Sequence, residues 1–465
     1  MTPPTGLGER IKIEKRPHAQ PPCEVLPSEL IAEIFELTSN PPPFRRTPDA
    51  NFTSPLLLGA VCRRWRTIAW GLPTLWKYVH LVLSIEHYDT RVDLLEEWLD
   101  RARDCPLHIV FRVPMNLQEE FMEWCDDGPY EVFDLFAKKR VQWEKLDLDL
   151  IAQECIASLE EGKGGLPLLQ AVTLNDYANE DLDVDLLKDS PALRRLSLKG
   201  GSHHLRFCHP PSCAALTDLY LSSLSMDDTV SLLRETVNIK SCYLKFIDSE
   251  QYFAFYDSDE ENHLLSFPFL ETLVINACSS NHMLRLLGKV PKLRDLGMKG
   301  TGYPDLPVLD RFFKEHDRKL DTFHLTTDTS MEIDKIRKVL SHHSKTLTSL
   351  SIYHEQYDTD AVLHVALHKQ LLMPIVSHGK PTFLPNLHHY EYLPPEWPKA
   401  SMECVARMLQ ARWRLFRAAT QTAQPKNDFS VRLPASVRLE VKQLLAKEMA
   451  EGLRTNFDLV CPRWL

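Results

Sequence analysis

A six-position apolar unit, L-x-x-L-x-L or a close substitute, recurs along most of this 465-residue chain, and it constrains the fold more than any other feature. It stands at Trp143/Leu146/Leu148, Leu169/Val172/Leu174, Leu193/Leu196/Leu198, Leu216/Leu219/Leu221 and Ile239/Cys242/Leu244. It continues at Leu270/Leu273/Ile275, Leu293/Leu296/Met298, Leu320/Phe323/Leu325 and Leu347/Leu350/Ile352, with a degenerate copy at Leu387/Tyr390/Tyr392. The last two apolar positions of each copy read as alternate residues of a short strand, pointing to one face, and the first turns the chain into it. Helical stretches lie between copies, among them Met226–Arg234, His282–Leu287 and Ile333–Leu340. One strand-plus-helix unit cannot bury its apolar face alone, so such units are predicted to stack into a curved solenoid. A single globular α/β domain with leucine-rich strands is the alternative. Recurrence from residue 143 to residue 392 is hard to obtain from one doubly wound sheet.

Prolines punctuate the same pattern. Ser190-Pro191-Ala192-Leu193, Phe267-Pro268-Phe269-Leu270, Val290-Pro291-Lys292-Leu293 and Leu384-Pro385-Asn386-Leu387 each place proline two residues before the leucine that opens the unit. That placement predicts a helix-to-strand corner, with proline stopping the helix and presetting an extended approach. Successive units lie about 23–40 residues apart, the shorter steps fitting the range of leucine-rich repeats.

The N-terminal segment has a different period. Leu26, Leu30, Ile34 and Leu37 recur at helical spacing, and Pro27 has the fixed φ of a first helical turn. After a proline-rich insert, Asn40–Pro55, a second apolar stripe runs through Leu57, Leu58, Val61, Cys62 and Trp65, while Arg63, Arg64 and Arg66 fall largely on other faces. Two or three such short helices barely close a core. The insert reads as a loop, whose closure cost grows only as the logarithm of its length, although it could crowd a partner.

Leu26-Pro27, Glu29-Leu30, Ile34-Phe35 and Leu37, followed in order by Leu58, Val61-Cys62 and Trp65, resemble an F-box. The continuation Gly71-Leu72-Pro73-Thr74-Leu75-Trp76 is similar to that of the large F-box families of mushroom-forming fungi. The resemblance implies that Leu26, Pro27, Leu30, Ile34, Leu58, Val61, Cys62 and Trp65 help build a helical surface that docks a Skp-type adaptor and, through it, a cullin-RING ubiquitin ligase. Trp65 and Val61 could equally hold the helices together.

Composition excludes several other classes. The chain is 44% hydrophobic and 25% charged, as folded proteins with a large core are. A net charge of −10 argues against a general phosphate-backbone binder, so nucleic acid is not an expected partner. No apolar run approaches the roughly 20 residues of a spanning helix, and the first 22 residues lack a signal-peptide core. No membrane association is expected, and the predicted location is cytoplasmic or nuclear. Eleven scattered cysteines, mostly beside apolar residues (Cys62, Cys242, Cys278), read as reduced buried thiols.

Candidate chemistry is sparse. His203, His204, Cys208, His209 and Cys213 form the densest set of potential metal ligands but lack paired Cys-x-x-Cys spacing, so a loop is expected and no metal. Asp257-Ser258-Asp259-Glu260-Glu261 reads as a solvated loop. Gly162-Lys163-Gly164-Gly165 lacks the spaced first glycine and the following Ser/Thr of a phosphate loop, and reads as a turn. No nucleophile elbow, zinc-protease helix or dinucleotide fingerprint occurs in the chain, so no catalytic residue and no cofactor is assigned.

The expected class is α/β: a short helical F-box followed by a curved leucine-rich-repeat solenoid. The expected divisions are an N-terminal tail at 1–22, the F-box-like segment at 23–80, a connecting helix and strand at 81–140 (DLLEEWLDRAR, Asp93–Arg103, then PLHIVFRV, Pro106–Val113), repeats at 141–395 and a capping segment at 396–465. In the cap, Met402–Arg417 and Ser436–Leu453 read as helices flanking a last strand, Phe429–Leu433. The expected function is the substrate-recognition subunit of a Skp-cullin-F-box ubiquitin ligase, docking the adaptor through the F-box and an unnamed target protein through the repeats. The alternative is a non-catalytic repeat-protein scaffold or regulator that delivers no substrate. Outward-facing strand residues such as Ser197, Tyr220 and Thr272 are candidates for the recognition face.

Overall fold

The computed structural model describes residues 26–39, 54–114, 130–150, 152–177, 182–200, 205–206, 213–222, 224, 226–245, 265–276, 280–299, 306–316, 319–327, 333–354, 367–368, 376–377, 380–381, 383–393, 399–420, 430–434 and 438–458. The chain divides into two units, one of residues 1–80 with 84–108 and one of residues 81–83 with 109–465.

In the first unit, proline and two caps set the helix boundaries. Helix α1 spans Ser28–Ser39, α2 Pro55–Val61, α3 Arg63–Gly71 and α4 Tyr88–Ala102. The Ser54 hydroxyl accepts from the Leu56 amide at 3.3 Å, and Pro55 takes the first helical position, where no amide hydrogen is wanted. Cys62 is extended (φ −158°) and its sulfur accepts from the Trp65 amide at 3.4 Å. It therefore ends α2 and caps α3, which breaks the second predicted apolar stripe in two. The core is built from Ile31, Phe35, Leu58, Ala69, Leu75, Trp76, Leu95 and Leu99, all buried. Phe35 meets Trp65 edge to face at 4.9 Å, and the Trp76 indole donates to the Ala69 carbonyl at 2.8 Å. The Arg101 guanidinium lies over the rings of Trp70 and Trp76, 4.9 and 4.7 Å from their centroids.

The repeated apolar unit supplies ten strands of one sheet of fourteen. The sheet begins with β1 (Tyr78–Val82), β2 (Leu107–Arg112), β3 (Trp143–Leu150), β4 (Ala171–Asp176), β5 (Arg195–Lys199), β6 (Asp218–Ser222) and β7 (Ser241–Lys245). They continue as β8 (Thr272–Asn276), β9 (Asp295–Lys299), β10 (Thr322–Thr327), β11 (Ser349–His354), β12 (His389–Leu393), β13 (Ser430–Pro434) and β14 (Arg454–Asp458). Strand order in the sheet is sequence order throughout. Every pairing from β3 to β14 is parallel. A doubly wound sheet reverses its order at a switch point, and this sheet has no reversal.

Register explains why the sequence repeats as it does. Leu146, Val172, Leu196, Leu219, Cys242, Leu273, Leu296, Phe323, Leu350, Tyr390 and Val431 are successive partners, forming one ladder across eleven strands. A second ladder runs two residues on, from Leu148 through Leu174, Leu198, Leu221, Leu244, Ile275, Met298, Leu325 and Ile352 to Tyr392. Every member of both ladders is buried. Helices α5 (Tyr130–Lys138), α6 (Gln153–Glu160), α7 (Met226–Glu235), α8 (Ser280–Leu286), α9 (Leu306–His316) and α10 (Ile333–Ser341) fall between strands. Phe313 of α9 meets the ladder residue Phe323 at 6.2 Å and His343 at 4.2 Å, so this helix packs on the ladder side.

The main chain also repeats. Gln170, Arg194, Thr217, Lys240, Glu271, Arg294, Asp321 and Thr348 each accept two consecutive amides from the next unit on one carbonyl; Lys240, for instance, accepts from Glu271 at 2.8 Å and Thr272 at 3.0 Å. The proline corners are hydrogen-bonded turns: Leu193 donates to the Ser190 carbonyl at 3.1 Å, and Leu270, Leu293 and Leu387 donate likewise to Phe267, Val290 and Leu384 at 3.3 Å. Proline therefore occupies the second position of a turn, which its φ suits, instead of presetting an extended approach. Leu166-Pro167-Leu168-Leu169 makes a fifth such turn.

The C-terminal segment extends the sheet. Helix α11 (Lys399–Thr420) precedes β13, the expected last strand, whose Val431 pairs with Tyr390. The predicted helix over Ser436–Leu453 is two helices, α12 (Arg438–Leu444) and α13 (Ala446–Ala450), and β14 follows as a strand that periodicity did not reveal. Among the described residues, no helix is long and apolar enough to cross a membrane.

Candidate docking surfaces

On α1, alternate sides of the helix have opposite fates. Ile31 and Phe35 are 2% and 1% exposed, whereas Leu30, Ile34 and Leu37 are 46%, 45% and 73% exposed, as is Leu26, just before the helix, at 36%. The residues that recur every fourth or third position thus share a solvent-facing stripe, and the helix is held by the side the period did not mark. Helix α2 repeats this: Leu58 is buried, and Leu56, Leu57 and Val61 are exposed. Arg64 fixes the start of α1 to α3, donating to the Leu26 carbonyl at 2.6 Å and to the Ser28 hydroxyl at 3.4 Å.

The eight residues singled out for adaptor docking therefore separate. Leu26, Pro27, Leu30, Ile34 and Val61 are exposed. Leu58 is internal packing, Cys62 is a partly buried cap, and Trp65 is partly buried against Phe35. Leu37, Leu56 and Leu57, which the resemblance does not assign to the adaptor, are exposed as well. The adjacent pair Leu56-Leu57 carries the missed signal, because neighbouring helical residues point in directions too different for both to join the stripe of Leu58.

On the sheet, the positions between ladder residues face the other way. Their central row, in register, is Asp147, Thr173, Ser197, Tyr220, Tyr243, Val274, Gly297, His324, Ser351 and Glu391, ending on Arg432. Ser197 and Tyr220 lie on this row, and Thr272 lies on the same face two residues before Val274. Tyr220 and Tyr243 stack with centroids 6.2 Å apart. Burial pushes the Tyr243 phenol above its usual range, and Asp295 and Asp218 add to the effect. Arg195 pairs with Asp218 at 3.6 Å, and Thr272 donates to Asp295 at 3.2 Å.

Closed polar networks occupy both ends of the row. At β2–β4, Arg112 pairs with Asp147 and, at 3.4 Å, with Asp149, which also accepts from the Val113 amide at 2.9 Å and from Asn175 at 2.8 Å. Burial raises the Asp149 carboxyl, outweighing those partners. At β11–β13, Glu391 is 3% exposed and accepts from Arg432, Ser351 and Tyr353, each at 2.8 Å. These groups use one another as partners, so the open stretch of the face lies around Tyr220 and Tyr243.

Other candidates resolve into structure. Gly162–Gly165 is a turn: Gly164 has φ +93°, and a β-carbon on Gly162 would come 2.8 Å from the Ala137 carbonyl oxygen. Cys155 and Cys242 are buried, while Cys62, Cys105 and Cys404 are partly exposed; all five are free thiols. Burial pushes the Cys242 thiol up to about 12, which fits a ladder residue and not a nucleophile. His203, His204, Cys208, His209, the acidic run 257–261 and most of the insert 40–55 lie outside the described residues, and among those described no group of His, Cys, Asp and Glu could hold a metal ion. Compared with known families and with curated proteins, the chain matches no family model and no curated sequence.

Proposed function

We propose that this chain is a non-catalytic substrate receptor of a Skp-cullin-F-box type ubiquitin ligase. The observation that carries the reading is the inversion of α1 and α2. Seven large apolar side chains, Leu26 just before α1 and Leu30, Ile34, Leu37, Leu56, Leu57 and Val61 on the two helices, face solvent, while the other sides of those helices already form a core. Exposed apolar surface of that kind marks a protein interaction site, and four of these residues, Leu26, Leu30, Ile34 and Val61, are among those that the F-box resemblance assigns to the adaptor. The sheet supports the second half of the reading. A parallel sheet in unreversed sequence order puts its connections on one face when its crossovers share one hand, as they do by rule, and leaves the other face for a partner. Stacked leucine-rich repeats forming a solenoid have this organisation. The ligase chemistry in this picture belongs to the other subunits, and the receptor contributes proximity.

The test is co-elution of the purified chain with a Skp-type adaptor on size-exclusion chromatography, beside a Leu30→Asp variant whose folding is checked by circular dichroism. A stoichiometric complex with wild type that is lost in the folded variant is the expected result. No complex with either protein overturns the reading.

A further inference from the structure

Next to the tyrosine pair, the third row of the outward face carries a regular charge pattern. In register, Lys199 pairs with Ser222, Ser222 with Lys245, Lys245 with Asn276, and Asn276 with Lys299. Lysine thus takes every second strand, alternating with a short hydrogen-bonding residue. With parallel strands about 4.8 Å apart, consecutive lysine positions are about 10 Å apart, which is the rise of three residues in an extended peptide. Beside this row lie the stacked Tyr220 and Tyr243, then Val274 and Gly297, an aromatic and apolar strip. Lys199, Lys245, Tyr220 and Tyr243 are all partly exposed. In a chain of net charge −10, this row is a local exception.

The geometry points to an extended acidic segment of a target protein as the occupant of this face, laid across β5–β9 with Asp, Glu or phosphorylated side chains three residues apart over the lysine row and an apolar side chain against Tyr220 and Tyr243. The inference rests on reading the outward face as the target-holding surface, and it specifies the target's chemistry. Charge complementarity selects the acidic occupant: on this face of β5–β9 the four cations Arg195, Lys199, Lys245 and Lys299 outnumber the two acids Asp218 and Asp295.

The experiment pans a displayed library of random twelve-residue peptides against the full-length chain, then measures the enriched peptides by fluorescence anisotropy. The expected result is net-acidic peptides with Asp or Glu at i and i+3, weakened at least tenfold by Lys199→Glu/Lys245→Glu and by Tyr220→Ala/Tyr243→Ala, and further weakened by added salt. Lys199→Gln/Lys245→Gln serves if the charge reversal does not fold, with the same direction of effect. Neutral or basic peptides that still depend on Tyr220 and Tyr243 would overturn the acidic assignment while keeping the face as a binding surface. Peptides indifferent to all four residues would overturn the face itself. Adaptor co-elution of the same preparations reports separately on the ligase reading.

Discussion

Gly59 lies directly beneath the indole of Trp70. A β-carbon at Gly59 would fall 1.7 Å from Cζ3 of that ring, closer than any real contact, so the approach of α2 to α3 requires glycine at this position. Gly59→Ala is expected to cost about 1–3 kcal/mol, the usual penalty of overpacking, and Trp70→Leu in the same chain should recover part of it. Thermal unfolding of the two single variants and the double variant checks this.

Ile31 and Ile34 are three residues apart on α1 and have opposite surroundings, 2% and 45% exposed. Ile31→Ala should destabilise by about 2–5 kcal/mol. Ile34→Ala should stay within about 0.5 kcal/mol of wild type. Urea unfolding monitored by tryptophan fluorescence distinguishes them, and equal losses would mean that the helix faces are assigned the wrong way round.

The Glu391–Arg432 pair is 3% and 9% exposed at its side chains, which makes it costly to halve. Glu391→Gln leaves a buried guanidinium without its counter-charge and should cost about 3–5 kcal/mol. Glu391→Leu combined with Arg432→Met should cost less than the sum of the single changes, by about 1–3 kcal/mol of coupling. A double-mutant cycle on unfolding free energies measures that term.

Asp310 gives the α9–α10 pair a pH dependence. Burial raises its carboxyl, but hydrogen bonds from His342, Lys314 and Lys338 outweigh burial and hold it well below the usual carboxylate range. A carboxyl depressed in the folded state contributes stability that is present above its unfolded value, near 3.8, and lost as pH falls through the folded value. Asp310→Asn should therefore be less stable than wild type at pH 7, with the gap closing as pH drops below about 4. Urea midpoints from pH 3 to 7 test it, and a gap that is constant with pH would rule out the ionised carboxylate as the source.

Arg103 ends α4 with φ +50° and ψ −122°, backbone geometry that favours glycine, and its side chain is exposed. Arg103→Gly should raise stability by about 1 kcal/mol by relieving this strain. A higher melting temperature is the readout.

Much of the sheet was legible because its signal is redundant. Ten copies of the unit mark ten strands, and even the degenerate Leu387/Tyr390/Tyr392 copy pairs in register with Leu350 and Ile352. β14 was not legible, because Arg454–Asp458 carries no alternating apolar pair. The proline corners were located correctly and explained wrongly: a hydrogen-bonded turn and an extended approach both tolerate proline, and only the Ser190–Leu193 bond distinguishes them. For the helical segment, periodicity found the stripe of Leu26, Leu30 and Ile34, but an apolar stripe does not state whether it meets the chain's own core or another surface. Phe35 and Ile31, offset by one residue from that stripe, hold the core.

The doubly accepting carbonyl before each of β4 to β11 means that neighbouring units there are joined by main chain as well as by the side-chain ladders. Leu219 and Cys242 are joined across a gap of 23 residues and Leu350 and Tyr390 across one of 40, with the same bonding on either side. The intervening loops can therefore vary in length and the exposed side chains in kind without disturbing the joint. A gene encoding such a chain could gain, lose or exchange whole units in frame and still yield matched interfaces, so the exposed face can diversify faster than the scaffold that displays it.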